Sequence, residues 1–88
     1  MNFVFDPKKV AANLRKHGVA FAEVEAVFYD DLALTREDDD IVGEARFVTV
    51  EVDSLGRIVA VCWTQRGGNV RLISARLASP HERKNYEG

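Results

Sequence analysis

An α+β domain is predicted by three features of the chain. Apolar, β-branched runs at 45–52, 57–64 and 70–77 are separated by short turn segments, which reads as an antiparallel meander. Helical start and stop signals lie before and after that meander rather than between its strands, which segregates the helices as α+β domains do. With 88 residues and no linker-like tract, a second domain would leave neither half enough apolar surface to bury. The expected architecture is one domain over residues 1–88. It has an antiparallel sheet of four or five strands, two N-terminal helices, a C-terminal helix, and helices packed mostly on one face.

Each element has a local reason. Phe3, Val4 and Phe5 read as a short edge strand. Asp6-Pro7 then opens a helix, with Asp6 as N-cap and Pro7 where a missing N–H costs nothing. Val10, Ala11 and Leu14 supply its apolar face, and Gly18 its left-handed stop. A second helix is expected over 20–28, burying Phe21, Val24, Val27 and Phe28, although Ala20 is a poor cap. Residues 32–35 form a short strand within a polar, acidic stretch. Asp53-Ser54-Leu55-Gly56 and Gly67-Gly68-Asn69 are turn material between the three long strands. Ser79-Pro80-His81-Glu82 opens the last helix with a cap, a first-turn proline and a capping-box glutamate.

Composition excludes several classes. Hydrophobic residues make up 47% and charged residues 30%, too apolar for a disordered chain. The longest uncharged stretch, residues 58–65, is far shorter than the roughly 20 residues of a membrane span, and the first residues lack the pattern of a secretory signal. The single cysteine, Cys62, excludes an internal disulfide framework and a cysteine-built zinc site, so a reducing cytoplasm is the expected location. The net charge of −2 hides an asymmetry. Residues 1–55 carry six cations against twelve acids, whereas residues 56–88 carry six cations against two acids. Five of the latter six cations are arginine, whose planar fork suits phosphate or carboxylate. Charge alone leaves two readings open: a basic half that binds an anion, or two halves that pair with each other.

Ready-made catalytic motifs are absent. There is no phosphate-binding glycine loop or nucleophile elbow, and the three serines sit in a turn, a strand and a cap. Glu37-Asp38-Asp39-Asp40 lacks calcium-loop spacing and reads as a solvated loop, with contact to a basic partner as the alternative. No metal and no cofactor are expected. Histidine is the side chain suited to proton transfer near neutrality. His17, beside Lys16 at the end of the first helix, either transfers a proton or complements the helix terminus. His81 lies in the first turn of the last helix and is not selected as catalytic. Arg71 and Arg76 have opposite parity, so a regular strand sends them to opposite faces unless it bends near Ala75. Arg66 lies at a hairpin mouth. Glu44 and Arg46 share parity at the start of a strand, where Glu44 serves as a base or accepts from an arginine. Trp63 and Tyr86 either stack on bases or fill the core.

The chain also resembles a known family. Asn2 to Lys9, Asn13, Lys16-His17-Gly18-Val19 and Phe21 are similar to the opening of BrnT toxins. Glu44-x-Arg46, Gly56-Arg57, Thr64-x-Arg66-Gly67, Arg71-Leu72-Ile73-Ser74-Ala75-Arg76 and Glu82-Arg83-x-x-Tyr86-Glu87 continue the match in order. The resemblance implies a RelE-like fold and a ribonuclease that arrests translation. It also implies neutralisation by a BrnA-type antitoxin, through which alone the toxin would reach operator DNA. Phe5, Asp40 and Glu51 depart from the family's usual tryptophan, histidine and glycine.

The expected chemistry is metal-free attack of a ribose 2′-hydroxyl on the adjacent phosphorus, leaving a cyclic phosphate. Arg66 and Arg76 stabilise the phosphate, with Arg71 as a substitute. His17 or Glu44 acts as base, and Lys16, His17 or Tyr86 as acid. Lys16, Arg46, Arg71, Arg83 and Tyr86 complete the expected contacts to RNA. The alternatives are a non-catalytic module that binds RNA or protein, a structural partner with internally paired arginines, and a ribonuclease that uses metal held by the acidic loop.

Overall fold

The computed structural model describes residues 3–4, 6–25, 33–38 and 45–88. Its elements run β1 (Phe3–Val4), α1 (Pro7–His17), α2 (Phe21–Glu25), β2 (Leu34–Asp38), β3 (Arg46–Val52), β4 (Ile58–Arg66), β5 (Asn69–Leu77) and α3 (Pro80–Glu87). The sheet order is β1-β5-β4-β3-β2. Strands β2 to β5 form the antiparallel meander, and β1 joins its far edge in parallel with β5. β1 and β5 are not consecutive, so no tight hairpin forces them to run antiparallel.

The turns form for the reasons their residues suggest. Gly67 and Gly68 both hold positive φ, 55° and 83°, as the two-residue β4–β5 hairpin requires. In the β3–β4 turn, Asp53 accepts the Leu55 and Arg57 amides at 3.0 and 2.9 Å. Its other oxygen receives Arg57 Nε at 2.8 Å, and Arg57 also reaches the Gly18 carbonyl at 3.0 Å. One buried carboxylate therefore shapes the turn and clips it to the end of α1.

Two of the three helices, α1 and α2, share one face of the sheet, as the sequence reading expected, and α3 covers the other. Val19, Phe21 and Val24 pack with Val59, Val61, Val70, Leu72 and Ala75 on the face covered by α1 and α2. Val48, Val50 and Ala60 form a second cluster on the opposite face, closed by Ile58, Ala78 and Tyr86. Residues 58–63 are apolar at both parities, the pattern of a strand covered on both sides. Each fully buried Val, Leu or Phe contributes about 1.5–3 kcal/mol.

Helix α1 also presents a different line to the sheet. Leu14 is half exposed, and the buried residue is Asn13. Its amide donates to the Val19 and Ala75 carbonyls, both at 2.9 Å, and accepts from the Ala75 N–H at 3.0 Å. A side-chain amide thus completes the edge of β5 beyond the short β1. The expected second helix is described only to Glu25, so Val27 and Phe28 lie outside the described residues, as does Phe5.

Candidate active site

Register decides which side chains share the α3 face. Cys62 pairs with Ser74, but Trp63 pairs with Leu72, so Ile73 is an extra residue in β5. This bulge shifts the alternation by one. Val70, Leu72 and Ala75 consequently all enter the α1–α2 core, and Arg71 and Arg76 share the α3 face. The expected separation of these two arginines is thereby corrected. Arg46 pairs with Thr64, and Thr64 with Arg71, forming one row across three strands. Two strand spacings place the Arg46 and Arg71 backbones about 10 Å apart. Thr64, buried between them, donates to the Ala45 carbonyl at 2.7 Å. The buried Nε of Arg46 has no hydrogen-bond partner among the described residues.

A cleft of about 540 Å³ lies between β2 and α3. Leu34 and Val50 give it apolar walls, and Arg36, Arg76, His81, Glu82 and Asn85 give it polar ones. Arg76 is held by Glu82 through Nη1 to Oε1 at 2.7 Å and Nη2 to Oε2 at 3.1 Å, and Nη1 also reaches the Leu77 carbonyl at 3.3 Å. A guanidinium has five N–H donors. Among the described residues the other two, Nε–H and one on Nη2, have no partner; they lie along one edge and form a second fork suited to a phosphate. Arg36 stands 4.0 Å from Glu82, and Asn85 Nδ2 is 3.3 Å from His81 Nε2.

Glu82 belongs to both the site and the fold. It accepts the Ser79 amide at 2.8 Å while Ser79 accepts the Glu82 amide at 3.2 Å, completing the expected capping box. The hydrogen bonds from Arg76 hold its carboxyl at about 2, outweighing the opposing effect of burial. For Asp53, burial pushes the pKa up, but the bonds and charge of Arg57 outweigh it, and the net direction is down. Depressed carboxylates stabilise the fold above their unfolded pKa values near 4 and lose that contribution as pH falls through the folded values. Stability is therefore expected to fall progressively from about pH 4.5 towards pH 2. For Glu82 the loss is on the order of 1–3 kcal/mol once the exposure of Arg76 is discounted. Urea unfolding at stepped pH checks this, and Glu82→Gln should flatten the slope.

The remaining predicted residues are dispersed. Lys16 and His17 line a separate cleft of about 210 Å³ between α1 and β5, with Lys9, Asn13 and Ser74. Among the described residues it shares no lining residue with the β2–α3 cleft. Arg83 is exposed on the far side of α3, near Gly56, Arg57 and Glu87. Tyr86 packs on the second core cluster. Trp63 faces the α1–α2 side, stacked on Phe47 at 4.7 Å and donating to Thr49 at 2.8 Å. Glu51 is wholly buried on that side, opposite Val59, so this departure lies in the core and away from the arginines. Arg66 pairs with Asn69 through its backbone, and its side chain lies outside the described structure. Glu44 and Asp40 also lie outside the described residues.

Arg36 and His81 line the β2–α3 cleft without having been selected from the sequence. Arg36 shares the parity of Leu34, a signal available once β2 is extended to Asp38. Nothing local marks His81, whose place in the cleft depends on where α3 docks. Among the described residues, no group of three or more His, Cys, Asp or Glu side chains is placed to hold a metal ion. No described helix is long and apolar enough to cross a membrane.

Known proteins share the sequence pattern and the fold of this chain. No curated protein matches the chain. Its structure is similar to the 1.1 Å crystal structure of the Brucella abortus ribonuclease toxin BrnT, with a TM-score of 0.70 and 25% identity. That likeness covers 90% of this chain and 97% of the Brucella chain. Residues 5–82 match the family model described as the ribonuclease toxin BrnT of type II toxin–antitoxin systems. With the family model matched over most of its length and the fold shared with that toxin, the chain belongs to the BrnT family of ribonuclease toxins.

Proposed function

We propose that the chain is an endoribonuclease that cuts RNA at the β2–α3 cleft without a metal ion. The observation that carries this reading is the meeting of Arg76, Arg36 and His81 in one cleft, where Glu82 occupies one edge of the Arg76 guanidinium. With the Asn85 amide turned so that its oxygen accepts from Nε2–H, His81 takes the proton of a ribose 2′-hydroxyl at Nδ1, and O2′ bonds to the adjacent phosphorus. The P–O5′ bond then breaks, and the leaving O5′ takes a proton from water at the cleft mouth. The products are a 2′,3′-cyclic phosphate and a 5′-hydroxyl end. Arg76 and Arg36 stabilise charge developing on the phosphoryl oxygens. Arg46 and Arg71, in the row beyond α3, hold the flanking backbone, with Arg66 at the hairpin end of the same strand pair.

A BrnA-type antitoxin neutralises the toxin by covering this face, with an interface of roughly 1,200–2,000 Å². Operator DNA is reached only through that partner, and toxin and RNA meet in the cytoplasm.

The test is cleavage of a defined RNA by the antitoxin-free protein, with and without EDTA, with the ends identified. Expected are EDTA-resistant cutting, cyclic phosphate ends, and a loss on the order of 10²–10³ in Arg76→Ala. Loss of cutting in EDTA, restored by Mg²⁺, would replace this mechanism with a metal-dependent one. The Glu82 fork also favours a second reading, in which Arg76 only docks α3. Adding free guanidinium to Arg76→Ala separates the two. Cutting restored with no gain in stability assigns Arg76 to the RNA, whereas recovery only together with stability assigns it to the docking of α3.

A further inference from the structure

We propose that the cleft between α1 and β5 is a second binding site for the phosphate backbone of the same RNA. The proposal rests on reading the substrate as RNA. Helix α1 carries Lys8, Lys9, Arg15 and Lys16 and no carboxylate along its whole length. Lys9 and Lys16 are seven residues apart, two turns on one helix side and about 10 Å along the axis. Both line the cleft with His17 and Ser74. The Asn13 amide is committed to Val19 and Ala75, so the donors left for a ligand are the two ammonium groups, the imidazole and the Ser74 hydroxyl.

Continuity with the arginine face favours RNA over a separate acidic ligand. Ser74 lies between Arg71 and Arg76 on β5 and pairs with Cys62, on the face that carries both arginines. A chain leaving that face across the β5 edge would meet Ser74 and then the lysines. The C-terminal end of a helix carries about half a negative charge, which opposes an anion there. Lys9, Arg15 and Lys16 outweigh it.

The test uses a labelled single-stranded 2′-O-methyl RNA, which binds but cannot be cut, titrated at several salt concentrations. Each phosphate contact on a single strand contributes about 0.7 to the slope of log K against log salt. The double variant Lys9→Gln/Lys16→Gln should bind about tenfold more weakly and lose about 1.4 from that slope. Lys8→Gln/Lys84→Gln, which removes the same two charges outside both clefts, serves as the control for net charge. An unchanged slope in the double variant overturns the proposal, as does a loss matched by the control. Normal RNA binding with weakened antitoxin binding assigns the cleft to a protein partner and overturns it too. Wild-type protein that binds the probe with the expected slope change, yet cuts no RNA, supports this site while sinking the cleavage mechanism. Failure of the wild type to bind the probe sinks both.

Discussion

Replacing His81 by alanine is expected to lower the rate of RNA cleavage at saturating substrate by a factor on the order of 10²–10⁴. That is the range removed when a positioned proton-transfer group is lost, and His81 is the histidine that lines the cleft with Arg36 and Arg76. His81 is exposed in the first turn of α3, so the substitution removes no buried contact and the fold should survive it. His17→Ala should behave differently. Its side chain lines the α1–β5 cleft beside Lys16, so its loss should raise KM and leave kcat nearly intact. Single-turnover kinetics at saturating RNA separate these effects. Should His17→Ala lose kcat and His81→Ala keep it, the chemistry belongs to the other cleft, and Arg76 is at most a docking residue for α3.

The contrast between the two histidines also shows what was legible in the sequence. The caps, the turns and the three long strands follow from local rules, because Asp6-Pro7, Gly67-Gly68 and Ser79 to Glu82 each satisfy a requirement of the backbone. The family was legible as well, since its motifs are contiguous blocks. The site was only partly so. Ile73 and Ser74 carry no mark of a bulge, yet that single extra residue places Arg71 and Arg76 on one face. His17 stood out through its neighbours in sequence, whereas His81 gains its surroundings only when α3 packs across β3 and the Glu82–Arg76 bond fixes its position. Coverage of both sheet faces was readable in the unbroken apolar run 58–63, but the helical signals alone did not say which helix covers which face.

The largest effect on stability is expected at Asn13. Its amide makes hydrogen bonds to the Val19 carbonyl and to both backbone groups of Ala75, and Val19 and Ala75 are wholly buried. Asn13→Ala leaves these buried groups without partners, at about 1–3 kcal/mol for each group that water fails to reach. A total of about 3–5 kcal/mol is expected, against a stability of roughly 5–15 kcal/mol for a domain of ordinary size. Asn13→Leu restores the volume but none of the bonds, so it should be nearly as damaging. Asn13→Asp keeps an acceptor for the Ala75 N–H but removes both donors and buries a charge, and should be at least as damaging. Urea denaturation midpoints at constant slope measure the cost. A loss below about 1 kcal/mol in Asn13→Ala would mean that water replaces the amide. The effect should also reach the active site. Ala75 lies between the bulge and Arg76, on a stretch of β5 that β1 does not cover, so the Asn13 bonds help fix the direction in which Arg76 leaves the strand. In the fraction of Asn13→Ala that remains folded, kcat should fall with the affinity for RNA largely retained, because Arg46 and Arg71 lie on the other side of the bulge.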